Sequence, residues 1–142
     1  SALILSFKNK AGLSGIRMDI MIENDLSQIA TNVYETNKVI GNLLQNAIDE
    51  TEMVLDKSYG IRLSILKRGE FCIINVSNRV SRLNPMGGYQ VGRSAKKGHE
   101  GIGIASIQAL ASRYGGVVYS RMEEDIIFFV AKLPLRLYKE EL

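Results

Sequence analysis

Ile16, Met18, Ile20 and Ile22 fall on every second position of 16–23, the spacing of a strand with one face in a core. Just before it, residues 2–11 read as the end of a helix, with Gly12 as its stop and Gly15 following. Residues 24–34 are polar, with room for a short helical turn. From Thr36, the predicted N-cap, the period changes to that of a long helix reaching about Lys57. Its apolar seam is Ile40, Leu43, Leu44, Ala47, Ile48, Thr51, Val54 and Leu55, at i, i+3, i+4 and i+7. Asn42, Asn46, Asp49, Glu50 and Met53 form a separate stripe. Beyond the Tyr59-Gly60 turn, Ile61–Lys67 and Phe71–Ser77 alternate as two strands joined at Arg68-Gly69.

The next stretch, 78–100, keeps no period and contains Pro85, Gly87, Gly88, Gly92 and Gly98. A structureless loop of that length inside a domain is uncommon and points to a lid or binding loop, over about 80–100. Gly101-Ile102-Gly103 opens a second helix with Ile104, Ile107, Ala111 and Tyr114 on its apolar side, stopped by Gly115-Gly116. Val117–Met122 and Ile126–Leu133 form a closing hairpin across Glu123-Glu124-Asp125, and Pro134 ends it. Strand, helix, hairpin, lid, helix, hairpin is the order of an α/β fold. It predicts a two-layer α/β sandwich whose mixed, mostly antiparallel sheet carries the helices on one face.

Composition narrows the chemistry. The 142 residues suit one domain, and 46% hydrophobic with 23% charged residues is a globular balance, not a disordered one. A single cysteine, Cys72, excludes an internal disulfide, and with a single histidine, His99, it excludes a Cys/His zinc cage. No apolar run approaches the roughly 20 residues of a membrane span. Within residues 35–57, Lys38 and Lys57 stand against Glu35, Asp49, Glu50, Glu52 and Asp56, whereas Arg93, Lys96 and Lys97 cluster in the Gly-rich loop. An acidic helix beside a small basic loop, with no Trp, argues against nucleic acid, which calls for a continuous basic face with stacking aromatics.

Three features could carry chemistry. Asn42 and Asn46, four apart on a helix, aim their carboxamides the same way, about 5–6 Å apart at Cβ. Asn is a poor helix former, so the pair has a propensity cost, and a carbonyl-type oxygen suits a hard cation such as Mg²⁺. A solvated polar face would use the same residues. Gly101 and Gly103 at the head of a helix leave amides open to a phosphate, with Ser94, Lys96 and Lys97 close by in sequence. Neither a P-loop nor a Rossmann fingerprint is present. Asn78, at the end of the second hairpin strand, is either a reader of a base's hydrogen-bonding edge or a turn former. Asp49, Glu50 and Glu52 read as a solvated helix face, Cys72 as core.

Taken in order, these segments resemble the GHKL family of ATP-binding domains, which includes histidine kinases, gyrase-type topoisomerases, Hsp90 and MutL. Residues 39–50, VIGNLLQNAIDE, resemble the kinase N-box, and residues 98–104, GHEGIGI, its second glycine box, followed by a helix ending Tyr114-Gly115-Gly116. The similarity spans about residues 10–134 and is nearest to sensor kinases of the quorum-sensing peptide-receptor type, with the citrate-sensor type nearby. The resemblance implies that Asn46 coordinates Mg²⁺ on the phosphates of ATP and that Asn42 supports the phosphate side. Asn78 then stands where most members carry the aspartate that accepts from the adenine amine. The glycines that follow that aspartate are replaced here by Arg79-Val80, and Asp49 replaces a frequent basic residue.

Hydrolytic members place a glutamate one turn before the Mg-binding Asn; here that position is Asn42, and an amide cannot take a proton. The resemblance therefore implies an ATP-dependent protein-histidine kinase domain that transfers a γ-phosphate. Its acceptor would be a histidine on an upstream, dimeric helical domain, and a response regulator would be the downstream partner. His99 does not match that acceptor. Residues 1–12 would be the end of an upstream linker, 13–135 the catalytic domain and 136–142 a tail. The domain would be cytoplasmic, in a protein held in the membrane by other segments. A nucleotide-weak pseudokinase acting as an interaction module, or a GHKL ATPase, are the alternative readings.

Overall fold

The structure is a computed structural model that describes residues 1–23, 25–81 and 100–136, together with the side chains of all but 100–102. Three helices and five strands follow in the order α1 (Ala2–Leu13), β1 (Met18–Ile22), α2 (Val33–Glu52), β2 (Ile61–Arg68), β3 (Phe71–Arg79), α3 (Glu100–Arg113), β4 (Val117–Glu123) and β5 (Ile126–Pro134). A 3₁₀ turn, Leu26–Gln28, occupies the polar stretch before α2. The sheet order is β1-β2-β3-β5-β4; β1 runs parallel to β2 and every other pair is antiparallel. The mixed, mostly antiparallel sandwich expected from the pattern is what forms.

Register explains which face is covered. Ile61, Leu63 and Ile65 of β2 lie opposite Asn78, Val76 and Ile74 of β3, and these lie opposite Ile127, Phe129 and Ala131 of β5. All are buried, and α2 packs across β3 upon them. Leu43, Leu44, Ala47 and Ile48 of α2 are each at most 1% exposed. Full burial of one such side chain is worth about 1.5–3 kcal/mol, so this seam sets the rotation of α2. Helix α1 adds Ile4 and Ala11 to the same core and is bonded to α2 through Lys10–Gln45 and Ser14–Glu52. Helix α3 contributes Ile107, Leu110 and Ala111.

Several boundaries differ from the sequence reading. Helix α1 runs through Gly12 and stops at Ser14, with Gly15 taking the left-handed φ of 71°. Helix α2 begins four residues before the expected Thr36, because Asn32 makes a capping box: its side chain accepts from the Glu35 N–H at 2.8 Å, and Glu35 accepts from the Asn32 N–H at 3.2 Å. Thr36 instead sits buried in the first turn, bonded to Thr31 at 2.7 Å. The helix also ends at Glu52 and not near Lys57, leaving Leu55 fully exposed. Strand β3 extends two residues past Ser77. At Gly60, φ is 70° and an added Cβ would strike the carbonyl of Arg17, which accepts from the Ile61 N–H at 2.9 Å and so joins β2 to the approach of β1.

The start of α2 is also tied to the end of α3. Glu35 accepts a short hydrogen bond from the Tyr114 hydroxyl, and Arg113 lies 3.9 Å away. The Tyr114 hydroxyl, then the Asn32 N–H and the Arg113 charge, hold the Glu35 carboxyl below the usual carboxylate range, while the same carboxylate pushes the Tyr114 phenol up.

Two outcomes follow from these ends. Asn32→Ala should lower stability by about 1 kcal/mol in urea unfolding, the usual value of an N-cap, and Asn32→Asp should retain it. Because the folded pKa of Glu35 is depressed, its contribution is complete above the unfolded value of about 4.3 and disappears as pH falls below it toward the folded value. Urea unfolding at pH 6 and pH 3.5 should therefore show a smaller acid loss in Tyr114→Phe than in the parent. Equal losses would remove the bond from the account.

Candidate functional site

The polar stripe of α2 faces the start of α3. Asn42, Asn46 and Glu50 recur every fourth residue along one side of the helix, beside the seam that packs on the sheet. Asn46 is buried at 5% exposure and Glu50 at 7%. A solvated face was expected for Asp49, Glu50 and Glu52; only Glu52 is exposed, Asp49 is half-buried and accepts from Gln45 at 2.8 Å, and Glu50 is enclosed. The reason is distance in sequence: α1, β3 and α3 all pack against α2, and none of these contacts can be read from the period of α2 alone.

Asn42 is tethered to its own helix through its Nδ2. That group donates to the Lys38 carbonyl at 2.7 Å, leaving Oδ1 free to face α3. That oxygen occupies the space an added Cβ on Gly103 would need. Gly103 is therefore the residue that lets the first turn of α3 come against the Asn42 side of α2. Gly101 lies in the same first turn. A helix start presents unpaired N–H groups and the positive end of the backbone dipole, so the carboxamide stripe meets an anion-favouring surface.

Asn78 is the penultimate residue of β3, near the strand end where the pattern places it, and it is still paired on both sides. It is fully buried on the helix-facing side, between Ile61 and Ile127 in register. Its Nδ2 donates to the Arg79 carbonyl at 3.0 Å, while Oδ1 is shielded from solvent with no hydrogen-bond partner in the structure. A buried carbonyl oxygen left this way costs about 1–3 kcal/mol, a deficit that a ligand donor would remove. A turn former needs no such burial, so the base-reading alternative fits the geometry.

The end of β3 is held by charge. The Arg79 guanidinium lies 2.6 Å from Asp56 and 3.1 Å from Asp125, and the Val80 N–H donates to the Asp125 carbonyl at 2.8 Å. Hydrogen bonds from Ser58, then Arg79, hold the Asp56 carboxyl below its usual range. A cavity of ≈ 440 Å³ opens here, lined by Met53, Val54, Arg79 and Val80 among others, but not by Asn42, Asn46 or Asn78. The Arg79 pairs had no local sequence signal, since Arg79 closes β3 while Asp56 and Asp125 lie in two connections far from it in sequence. Ser94, Lys96, Lys97, His99 and nearly all of the expected 80–100 lid lie outside the described residues. Among the described residues no group of three or more His, Cys, Asp and Glu side chains could hold a metal. No described helix is long and apolar enough to cross a membrane.

Comparison with known proteins agrees with this geometry. A family model described as GHKL domain matches residues 31–135. No curated protein sequence matches significantly. The catalytic domain of histidine kinase ThkA, in a nucleotide-free form, superposes with a TM-score of 0.71 at 16% identity, covering 94% of this chain and 90% of that one. The Acinetobacter baumannii histidine kinase AdeS gives a TM-score of 0.67 at 11% identity, over 96% of this chain and 62% of that one. Full-length ShkA in complex with AMPPNP gives 0.69 at 17% identity, over 96% of this chain and 30% of that one. These likenesses establish a shared fold. The match over 31–135, which takes in the asparagine stripe, the buried Asn78 and the Gly103 contact, makes this chain a member of the GHKL family, with the fold of histidine kinase catalytic domains.

Proposed function

We propose that the chain is the ATP-binding catalytic domain of a sensor histidine kinase, of the peptide-receptor or citrate-sensor kind. It holds Mg-ATP between α2, the end of β3 and the start of α3. The γ-phosphate passes to a histidine on a helical domain elsewhere in the same protein, and a response regulator receives it next. In this reading residues 1–12 continue an upstream linker, 13–135 are the catalytic unit and 136–142 a tail. The domain works in the cytoplasm, joined to membrane segments outside this chain.

One observation carries the reading: the Asn42 carboxamide oxygen lies where a Cβ on Gly103 would fall, so the first turn of α3 comes directly against it. Such a junction offers backbone N–H groups and an amide to a polyphosphate at close range, which a Cβ at position 103 would prevent. The buried Asn78 Oδ1 adds an acceptor suited to an amine on a base. Both features fit ATP.

Each residue then has a limited task. Asn78 accepts from the adenine amine and, being neutral, does so without the charge of a carboxylate. Asn42 orients the phosphate chain and, as an amide, activates no water. Asn46 would hold Mg²⁺ through its carbonyl-type oxygen, the donor that a hard cation shared with phosphate accepts. When bound, the ion would neutralise phosphate charge. Positioning and charge compensation supply the catalysis, and the acceptor histidine brings the nucleophile.

Calorimetry on the chain with ATP, with and without Mg²⁺, tests this directly. Asn46→Ala should remove the Mg²⁺-dependent part of the affinity, a loss of at least tenfold, with no change in the urea midpoint beyond that of a polar site. Unaltered affinity would refute the role. Gly103→Ala separates site from fold in another way. The new methyl displaces only the tip of Asn42, and Ala favours a helix by about 1 kcal/mol over Gly. ATP affinity should fall at least tenfold while thermal stability holds or rises; a variant that still binds ATP normally would separate the junction from nucleotide binding.

A further inference from the structure

The nucleotide reading uses one face of the sheet, and the helices cover that face. On the other, the register sets outward side chains in rows. One row is Asp19, Arg62, Ser77, Phe128 and Arg121; the next is Met21, Ser64, Asn75, Val130 and Tyr119; a third includes Leu66, Ile73 and Lys132. An open antiparallel face is ordinarily polar. Here Met21 is 54% exposed and Tyr119 38%, and a depression of ≈ 380 Å³ lies among Met21, Tyr59, Arg62, Ser64, Asn75 and Phe128.

The charges on this face are not balanced. Arg62 lies 4.2 Å over the Tyr59 ring, Arg121 4.2 Å over Phe128 and Lys132 5.7 Å over Tyr119. Asp19 is occupied by Arg17 at 3.3 Å, and Glu123 by Arg121 at 2.6 Å. Among the described residues no carboxylate lies within ion-pair reach of Arg62 or Lys132. At the centre, Asn75 Oδ1 is shielded from solvent and has no hydrogen-bond partner, while its neighbour Ser77 is bonded to the Tyr59 hydroxyl at 2.9 Å.

We infer that the open face of the sheet is a docking surface for an acidic polypeptide segment, which covers Met21 and Phe128 with apolar side chains, brings carboxylates to Arg62 and Lys132, and donates an N–H to Asn75 Oδ1. Arg62 and Lys132 are two strands and four residues apart, about 16 Å on sheet geometry, or about five residues of extended chain. Charge complementarity selects an acidic partner. A lipid surface fits less well: acyl chains cannot supply the donor that Asn75 requires, and Asp19 and Glu123 would face anionic headgroups.

The test titrates the labelled chain, followed by amide NMR, with the capped hexapeptide Glu-Leu-Thr-Leu-Ser-Glu and with its lysine-ended counterpart. The glutamate peptide should shift Arg62, Val130, Lys132 and the Asn75 side-chain amide, leaving Asn42 and Asn46 unmoved. The double change Arg62→Glu and Lys132→Glu should weaken that peptide at least tenfold and admit the lysine one. Retained ATP affinity shows that the variant is folded; should it not fold, Arg62→Gln alone should weaken the peptide several-fold. Equal binding of both peptides, or no shift on this face, overturns the proposal. So does preference for phosphatidylserine vesicles, or a concentration-dependent dimer covering the same rows. Because the face lies opposite the asparagine stripe, failure here leaves the ATP titrations untouched, and the reverse holds.

Discussion

Helix α2 has to satisfy two surfaces at once, and the rest of the molecule is arranged around that constraint. Its apolar seam is closed on β3 with no residual exposure at Leu43 and Leu44, which alone represents about 3–6 kcal/mol of burial. Enclosing Asn46 beside it costs about 1–3 kcal/mol at most, even if its amide were poorly satisfied. The seam therefore wins, and the helix cannot rotate to hydrate the polar stripe without exposing the core. The polar side chains are held in place by their apolar neighbours, so they need little bonding of their own to stay oriented.

That fixed stripe would have nothing to act on without α3, whose position is determined at both ends. Its first turn rests against Asn42 through Gly103, and Tyr114, just past its last turn, bonds to Glu35 in the first turn of α2. Between them, Ile107 and Ala111 fill the core. In the proposed reading, an anion at this junction would meet a positive helix end and an amide at position 42, which, unlike a carboxylate, takes no proton from water.

The periods in the sequence carried the strands and the inward side of each helix, because alternation and the 3.6-residue repeat report burial directly. Helix ends were harder. Thr36 and Asn32 are both capping residues, and only the Glu35 that reciprocates Asn32 distinguishes them; Val54 and Leu55 continue the apolar repeat of α2, yet the chain leaves the helix at Met53 and Leu55 faces solvent. Of the site, the Asn42–Asn46 pair and the two glycines were legible from spacing and from the family's motifs. The enclosure of Glu50 and the Asp56–Arg79–Asp125 cluster were not, since each depends on elements far apart in sequence. The expected contribution of Ser94, Lys96 and Lys97 stays an expectation, outside the described residues.

Asn78 shows how register turns an ordinary residue into a specific one. Side chains alternate along β3, so Ser77 and Asn78 belong to opposite faces, and a slip of one position would exchange them. In that slipped state Asn78 would be a hydrated surface amide and Ser77 would enter the core. Pairing on both sides prevents it: β2 and β5 place Ile61 and Ile127 beside Asn78, and either of those residues would itself become exposed by a slip. The central position of β3 thus protects a buried acceptor that an edge strand could not have kept dry. It also explains why a neutral amide is workable there. An unpaired carboxylate at the same depth would carry a far larger desolvation cost, whereas the buried Asn78 oxygen costs about 1–3 kcal/mol, a deficit that the proposed adenine donor would remove.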